Sequence, residues 1–233
     1  SFNQFNMILT KSFAALDKTS LLAPYQFYRR RIKKNDVHIQ ILYCGVCHSD
    51  LHQVKDEWGN SIYPMVPGHE IIGRVISVGD NVTSFKVGEC VGVGVMVDSC
   101  RECKNCKNDL EQYCVEGMTG TYNSMERDGE TIAQGGYSNQ IVVDEKYVLH
   151  VSEKLNLSAT APLLCAGITT YSPLKFAGIK KGMKVGIIGL GGLGHMAVKF
   201  AKAFEAEVSV LSTSSNKAED AKKMGAVNFI NTN

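Results

Sequence analysis

No run of apolar residues in the 233-residue sequence is long enough to cross a membrane. Residues 1–16 also lack the cationic lead and long apolar stretch of a secretion signal. A cytoplasmic protein without a membrane span is therefore expected. Charge of one sign is missing too: the net charge is +2 and no basic stripe runs along the chain. Arg29-Arg30-Arg31 with Lys33-Lys34 reads as a solvated turn before a strand, so nucleic acid is not an expected partner. There is no internal repeat and no low-complexity linker. Hydrophobic content of 44% and charged content of 21% are those of a globular chain, and the length suits one or two domains.

Cysteine is present in quantity, with eight residues, and four of them crowd into Cys100, Cys103, Cys106 and Cys114. The gaps of two, two and seven residues let one loop bring four thiolates together at about 2.3 Å from a zinc ion. Two disulfides would need an oxidising compartment, of which the chain gives no sign. An iron–sulfur run favours a shorter last gap, commonly followed by proline, whereas Val115 follows Cys114. A closed four-thiolate zinc is the favoured reading. Such a site has no open position, so it holds a lobe in shape and leaves the chemistry to other residues.

Taken in order, residues 1–35 carry no clear pattern. Asp36–Tyr43 alternates Val37, Ile39 and Ile41 against His38, Gln40 and Leu42, which predicts a half-buried strand. Further strands are expected at Ile71–Val78, Cys90–Val97 and Gln140–Val143, with a turn at Gly79-Asp80-Asn81. This is an all-β lobe, a partly open barrel, over residues 1–157. From residue 158 the texture changes. A helix start at Ser158–Pro162 precedes a strand at Lys184–Ile188, a helix at His195–Phe204, a strand at Glu207–Leu211, a helix at Lys217–Met224 and a strand at Val227–Ile230. Strand and helix in alternation predict a parallel α/β sheet over residues 158–233.

Between the first strand and helix of that region lies Gly189-Leu190-Gly191-Gly192-Leu193-Gly194. A G-x-G-x-x-G pattern alone is weak evidence, but in this context it is the dinucleotide fingerprint: a tight turn, a close backbone approach to pyrophosphate and a helix N-terminus facing an anion. An acid about twenty residues on would grip the ribose hydroxyl of NAD. Here the chain has Ser212, Thr213, Ser214, Ser215, Asn216 and Lys217. Hydroxyls and an ammonium suit a 2′-phosphate, so NADP(H) is the expected cofactor.

Outside the knot remain Cys44, Cys47, Cys90 and Cys165, with His48, His52 and His69 near two of them. A catalytic zinc needs three protein ligands and an open position. Sequence spacing does not choose among these candidates. Cys44 and Cys90 lie in apolar strands and read as inert core thiols, while His38, His150 and His195 have no partner motif.

The runs G-V-C-H-S-D-L-H at 45–52, Y-P-M-V-P-G-H-E at 63–70, the four-cysteine knot, P-L-L-C-A-G-I-T-T-Y-S-P-L at 162–174 and G-L-G-G-L-G at 189–194 cover most of the chain. Together they resemble the zinc-dependent medium-chain alcohol dehydrogenases, most closely the cinnamyl alcohol dehydrogenase group. The resemblance implies a GroES-like first domain and an incomplete Rossmann-type domain, since family chains continue well past 233 residues. It implies that Cys47, His69 and Cys165 bind a catalytic zinc, with Glu70 beside it as an exchanging ligand and Asp50 orienting His69. It makes Ser49 and His52 the proton relay and places Thr169 at the nicotinamide. His48 either contacts the pyrophosphate, as its place in the family implies, or is a loop histidine. The implied activity is reversible hydride transfer between NADP(H) and an aldehyde or primary alcohol, by a homodimer with two zinc ions per chain. The other reading is a non-catalytic zinc- and nucleotide-binding scaffold. One departure touches specificity: Met118-Thr119-Gly120 stands where the plant group carries a bulky aromatic, and Trp58 and Tyr122 are candidates to line the pocket or to serve in packing.

Overall fold

The computed structural model describes residues 7–233. Residues 1–6, part of the stretch in which no secretion signal was expected, lie outside them. No helix among the described residues is long and apolar enough to cross a membrane. The chain divides into two compact units, the first ending at Leu164 and the second running Cys165–Asn233.

The first unit begins with a hairpin of β1 (Ile8–Ala14) and β2 (Ala23–Arg29), in the stretch without a clear pattern. Its register pairs Ile8 with Arg29 and Ala14 with Ala23. The main sheet takes β3 (Asp36–Cys44), β4 (Ile71–Val78), β5 (Cys90–Val93), β10 (Gln140–Asp144) and β11 (Leu149–His150), in the order β10-β3-β4-β5-β11, all antiparallel. The expected strand over 90–97 is two strands, β5 and β6 (Met96–Asp98), broken at Gly94-Val95 where the chain turns toward the cysteine loop. Beyond that loop β6 pairs with β7 (Thr119–Gly120), and β8 (Ser124–Met125) pairs with β9 (Ile132–Ala133). The core is the β-branched inner face of the sheet. Val37, Ile39, Ile71, Val75, Val91, Val93 are fully buried, and each such side chain contributes roughly 1.5–3 kcal/mol.

The arginine run departs from the expected solvated turn. Arg29 is buried, and its guanidinium donates to the carbonyls of Gln134, Gly135 and Gln140 and to Ser138 Oγ. Arg30 pairs with Asp36 and Glu126. A planar fork with five donors can satisfy several converging carbonyls at once, which offsets the desolvation of the charge.

Between the β lobe and the second unit lies α2 (Leu157–Thr160), capped by Asn156, whose side chain accepts the Ala159 N–H. The division falls after Leu164 and not at residue 158 because Ala161 and Leu164 pack on Ile72 and Cys90 of the first unit.

The second unit is a parallel sheet in the order β12-β13-β14: β12 (Lys184–Ile188), β13 (Glu207–Ser212) and β14 (Asn228–Asn231). Helices α3 (Ala166–Phe176), α4 (Gly192–Ala203) and α5 (Ala218–Met224) accompany it. On α4, Ala197, Val198 and Ala201 recur at helical spacing and bury against Val208 and Val210. Tyr171 of α3 meets Phe200 and Phe204 of α4. Among the described residues β12 is an edge strand, with Ile188 88% exposed.

Candidate functional site

Two groups of metal-type ligands form among the described residues, each with all its ligand atoms within 4.8 Å of one another. The first is Cys100, Cys103, Cys106 and Cys114. Sulfur separations of 3.9 Å for Cys100 to Cys106 and 3.5 Å for Cys103 to Cys106 bracket the roughly 3.8 Å edge of a zinc–thiolate tetrahedron. Arg101 takes a left-handed φ of 62° and Asp109 one of 56°, so the loop can fold back on itself. Arg101 bridges Asp98 and Asp144 and ties the loop to β6 and β10. The Cys100 N–H donates to Cys114 Sγ, and the Cys106 N–H to Cys103 Sγ. This last donation, with that of Val115, lowers the Cys103 thiol to about 6; the Cys100 N–H lowers Cys114 likewise. Such donors stabilise thiolate, the form a metal binds.

The second group is Cys47, His69, Glu70 and Cys165. Cys47 stands at the N-cap of α1 (His48–Val54), where β3 ends and the chain turns. Asp50, in the first turn of α1, is buried and accepts from several groups, the Tyr122 hydroxyl among them. Oδ2 takes the Cys47 N–H at 3.0 Å and the Tyr137 hydroxyl at 3.4 Å; Oδ1 takes His69 Nδ1 at 2.9 Å and the Gly68 N–H at 3.1 Å. Burial alone would raise its carboxyl, but the His69 bond and charge and the Cys47 N–H outweigh it and hold the group below the ordinary carboxylate range. An ionised Asp50 fixes the proton of His69 on Nδ1 and the lone pair on Nε2, the arrangement a metal-binding imidazole needs. Glu70 is buried next to it, at the start of β4, and its carbonyl accepts the Gly45 N–H. Cys165 is the N-cap of α3, one peptide bond beyond Leu164, which packs in the core of the first unit. Two thiols, one oriented imidazole and a carboxylate fit zinc.

The other expected residues distribute as follows. Ser49 is half-buried on α1. His48 is exposed and is the first residue of that helix; its ring lies 4.5 Å from that of His52. His52 Nδ1 bonds Glu57 Oε2, and Trp58 lies 5.3 Å from the His52 ring. Tyr122 stacks on His69 at 5.8 Å. Burial and the Asp50 charge push the hydroxyls of Tyr122 and Tyr137 well above the ordinary phenol range, so both are O–H donors. Burial raises the Cys44 thiol to about 12 and raises Cys90 as well, in keeping with inert core thiols. Met118 is 48% exposed and Thr119 is buried in β7. Glu57 and Tyr137 were missed in the sequence: a lone glutamate and a lone tyrosine carry no local signal.

In the second unit Gly189 has a φ of +85°, and a side chain at Gly194 would strike the Gly189 carbonyl. Only glycine serves at both positions. Lys217 Nζ donates to the Leu190 carbonyl at 3.2 Å, which puts its ammonium beside the glycine loop. Ser212 is buried at the end of β13, and its Oγ accepts the Ser214 N–H. Thr213 is exposed and Ser214 half-buried, and no carboxylate lies among residues 212–217. Gly191 caps α4, while Gly192 and Leu193 form its exposed first turn. Thr169 is exposed on α3, its N–H bonded to the Cys165 carbonyl.

Residues 33–153 match the alcohol dehydrogenase GroES-like domain, and residues 192–233 match the zinc-binding dehydrogenase domain. The chain is 54% identical to a probable mannitol dehydrogenase of Fragaria ananassa, over 94% of this chain and 61% of the relative. It is 56% identical to NADP-dependent alcohol dehydrogenase C 1 of Mycolicibacterium smegmatis, over 94% and 63%. Among solved structures, CAD from Helicobacter pylori complexed with NADP(H) superposes with a TM-score of 0.92 at 50% identity, over 96% of this chain and 65% of that one. The chain thus spans less than two thirds of the length of these relatives.

Proposed function

Because the chain belongs to the zinc-dependent medium-chain alcohol dehydrogenases, we propose that it takes part in NADP(H)-dependent interconversion of an aldehyde and a primary alcohol, with aldehyde reduction as the physiological direction. The observation that carries this reading is the buried Asp50–His69 pair beside the thiols of Cys47 and Cys165, a donor set of the catalytic and not the structural kind. The ligands are Cys47, His69 and Cys165, with Glu70 as the exchanging carboxylate. When bound, zinc supplies a Lewis acid for the substrate oxygen and NADPH supplies the hydride.

The chain's own residues do the rest. Asp50 holds His69 in one tautomer. Ser49 Oγ moves the proton that reduction requires, and His52 takes part in the same relay with its Nδ1 held by Glu57. Gly189–Gly194 receives the pyrophosphate at the N-terminus of α4. Ser212, Thr213, Ser214 and Lys217 take the ribose end, where the lysine and the absence of a carboxylate favour a 2′-phosphate. A second zinc in the cysteine knot has a structural role. A small-molecule substrate, a homodimer and a cytoplasmic setting belong to the same proposal.

The test is NADPH binding and consumption with an aromatic aldehyde, set against NADH, before and after chelation. Aldehyde-dependent consumption, faster with NADPH and lost on chelation, is expected. Binding of zinc and NADPH without consumption would instead favour the nucleotide-binding scaffold. Equal or better use of NADH would overturn the reading of residues 212–217.

A further inference from the structure

Asp50 is the group through which the second metal centre is held, and its partners reach beyond the ligand set and the relay. Three are His69 Nδ1 and the backbone N–H groups of Cys47 and Gly68, at 2.9 to 3.1 Å. The hydroxyls of Tyr137, at 3.4 Å from Oδ2, and of Tyr122 also face the carboxylate. An ionised carboxylate offers about four lone-pair positions. Without Tyr137, Oδ2 would lose one of the donors that fix the carboxylate in its plane.

Tyr137 reaches Asp50 from a segment tied down on both sides. The N–H groups of Gly135, Gly136 and Tyr137 donate to the carbonyls of Val66, Gly68 and Pro67 at 2.7, 2.9 and 2.9 Å, immediately before His69. The Phe13 N–H donates to the Tyr137 carbonyl at 2.9 Å. The buried Arg29 fork grips the Gln134 and Gly135 carbonyls and Ser138 Oγ. A tyrosine whose backbone is bonded at both its N–H and its carbonyl has little freedom left in where its hydroxyl points.

We propose that Tyr137 is a positioning residue for the metal centre: its hydroxyl, donated to Asp50 Oδ2 from a fixed backbone, helps set the carboxylate plane that holds His69. The inference rests on the reading of Cys47, His69 and Cys165 as metal ligands. Loss of the hydroxyl lets the carboxylate turn about its side-chain bond, and the imidazole follows it. The metal must then order what the free protein held in place, and affinity falls.

The test is Tyr137→Phe in the full chain, which keeps the ring and removes only the hydroxyl. Cobalt and zinc affinities of both sites are read by chelator competition, with the visible absorption of cobalt in the second centre as a signature of its geometry. The expected result is a loss of roughly tenfold in affinity at the second centre, with a changed cobalt spectrum and an unchanged knot. Affinity at the second centre within about twofold of the unaltered chain would overturn the proposal, as would equal losses at both sites, which indicate general loosening. One metal per unaltered chain would overturn the ligand reading and this inference with it, and that outcome is visible before any substitution is made.

Discussion

The two metal-type groups are built in opposite ways. The knot draws four thiols from Cys100 to Cys114, and the loop's own N–H groups donate to its sulfurs. The second centre collects ligands from positions 47 to 165, at the cap of α1, just before β4 and at the cap of α3. Closing a short loop costs little chain entropy, so a metal can organise the knot locally. Closing the longer separations needs the packed sheet and the Asp50 network first. In the knot the metal supports the fold; in the second centre the fold supports the metal.

The largest expected effect tests that asymmetry directly. Cys103→Ser should remove one zinc and lower the unfolding midpoint by on the order of 10 °C, since a structural zinc contributes folding energy. Cys47→Ser should remove the other zinc and abolish turnover while the midpoint moves by less than about 4 °C. Metal analysis beside thermal unfolding reads both. Comparable midpoint losses would erase the distinction.

A smaller effect is expected from Asp50→Asn, which deletes the charge facing His69 Nδ1 and leaves an amide where the Cys47 N–H needs an acceptor. Zinc affinity at the second centre should fall about 10- to 100-fold, measured by chelator competition, and the knot should keep its metal. Loss at the knot as well would mean that the two groups are not independent.

The smallest effect sharpens the account of the knot. With Cys103 lowered to about 6, its thiolate predominates at pH 7 and is the nucleophile. In metal-stripped protein its alkylation, followed by mass spectrometry, should stay fast at pH 7 and decline as pH falls through about 6. A midpoint near the ordinary thiol value of about 8.5 would show that the N–H donors are in place only when metal holds the loop.

Much of this was written in local patterns. The limits of β4 and β12 follow from β-branched runs between turns, the knot from its spacing, and the nucleotide loop from glycines set between strand and helix. Each of those features has its cause within a few residues. The β1–β2 hairpin was not legible, because its strands show no clean alternation, and Arg29 read as a solvated charge because the carbonyls that hold it come from residues 134–140. The set Cys47, His69 and Cys165 was reached only by resemblance. What the sequence alone determined, then, is every feature whose partners are near neighbours: strand and helix periods, the thiol loop and the phosphate turn. Tertiary structure decided which carboxylate faces His69, which tyrosines reach that carboxylate and which arginine is buried, because distant residues meet only after the sheet has brought their backbones together.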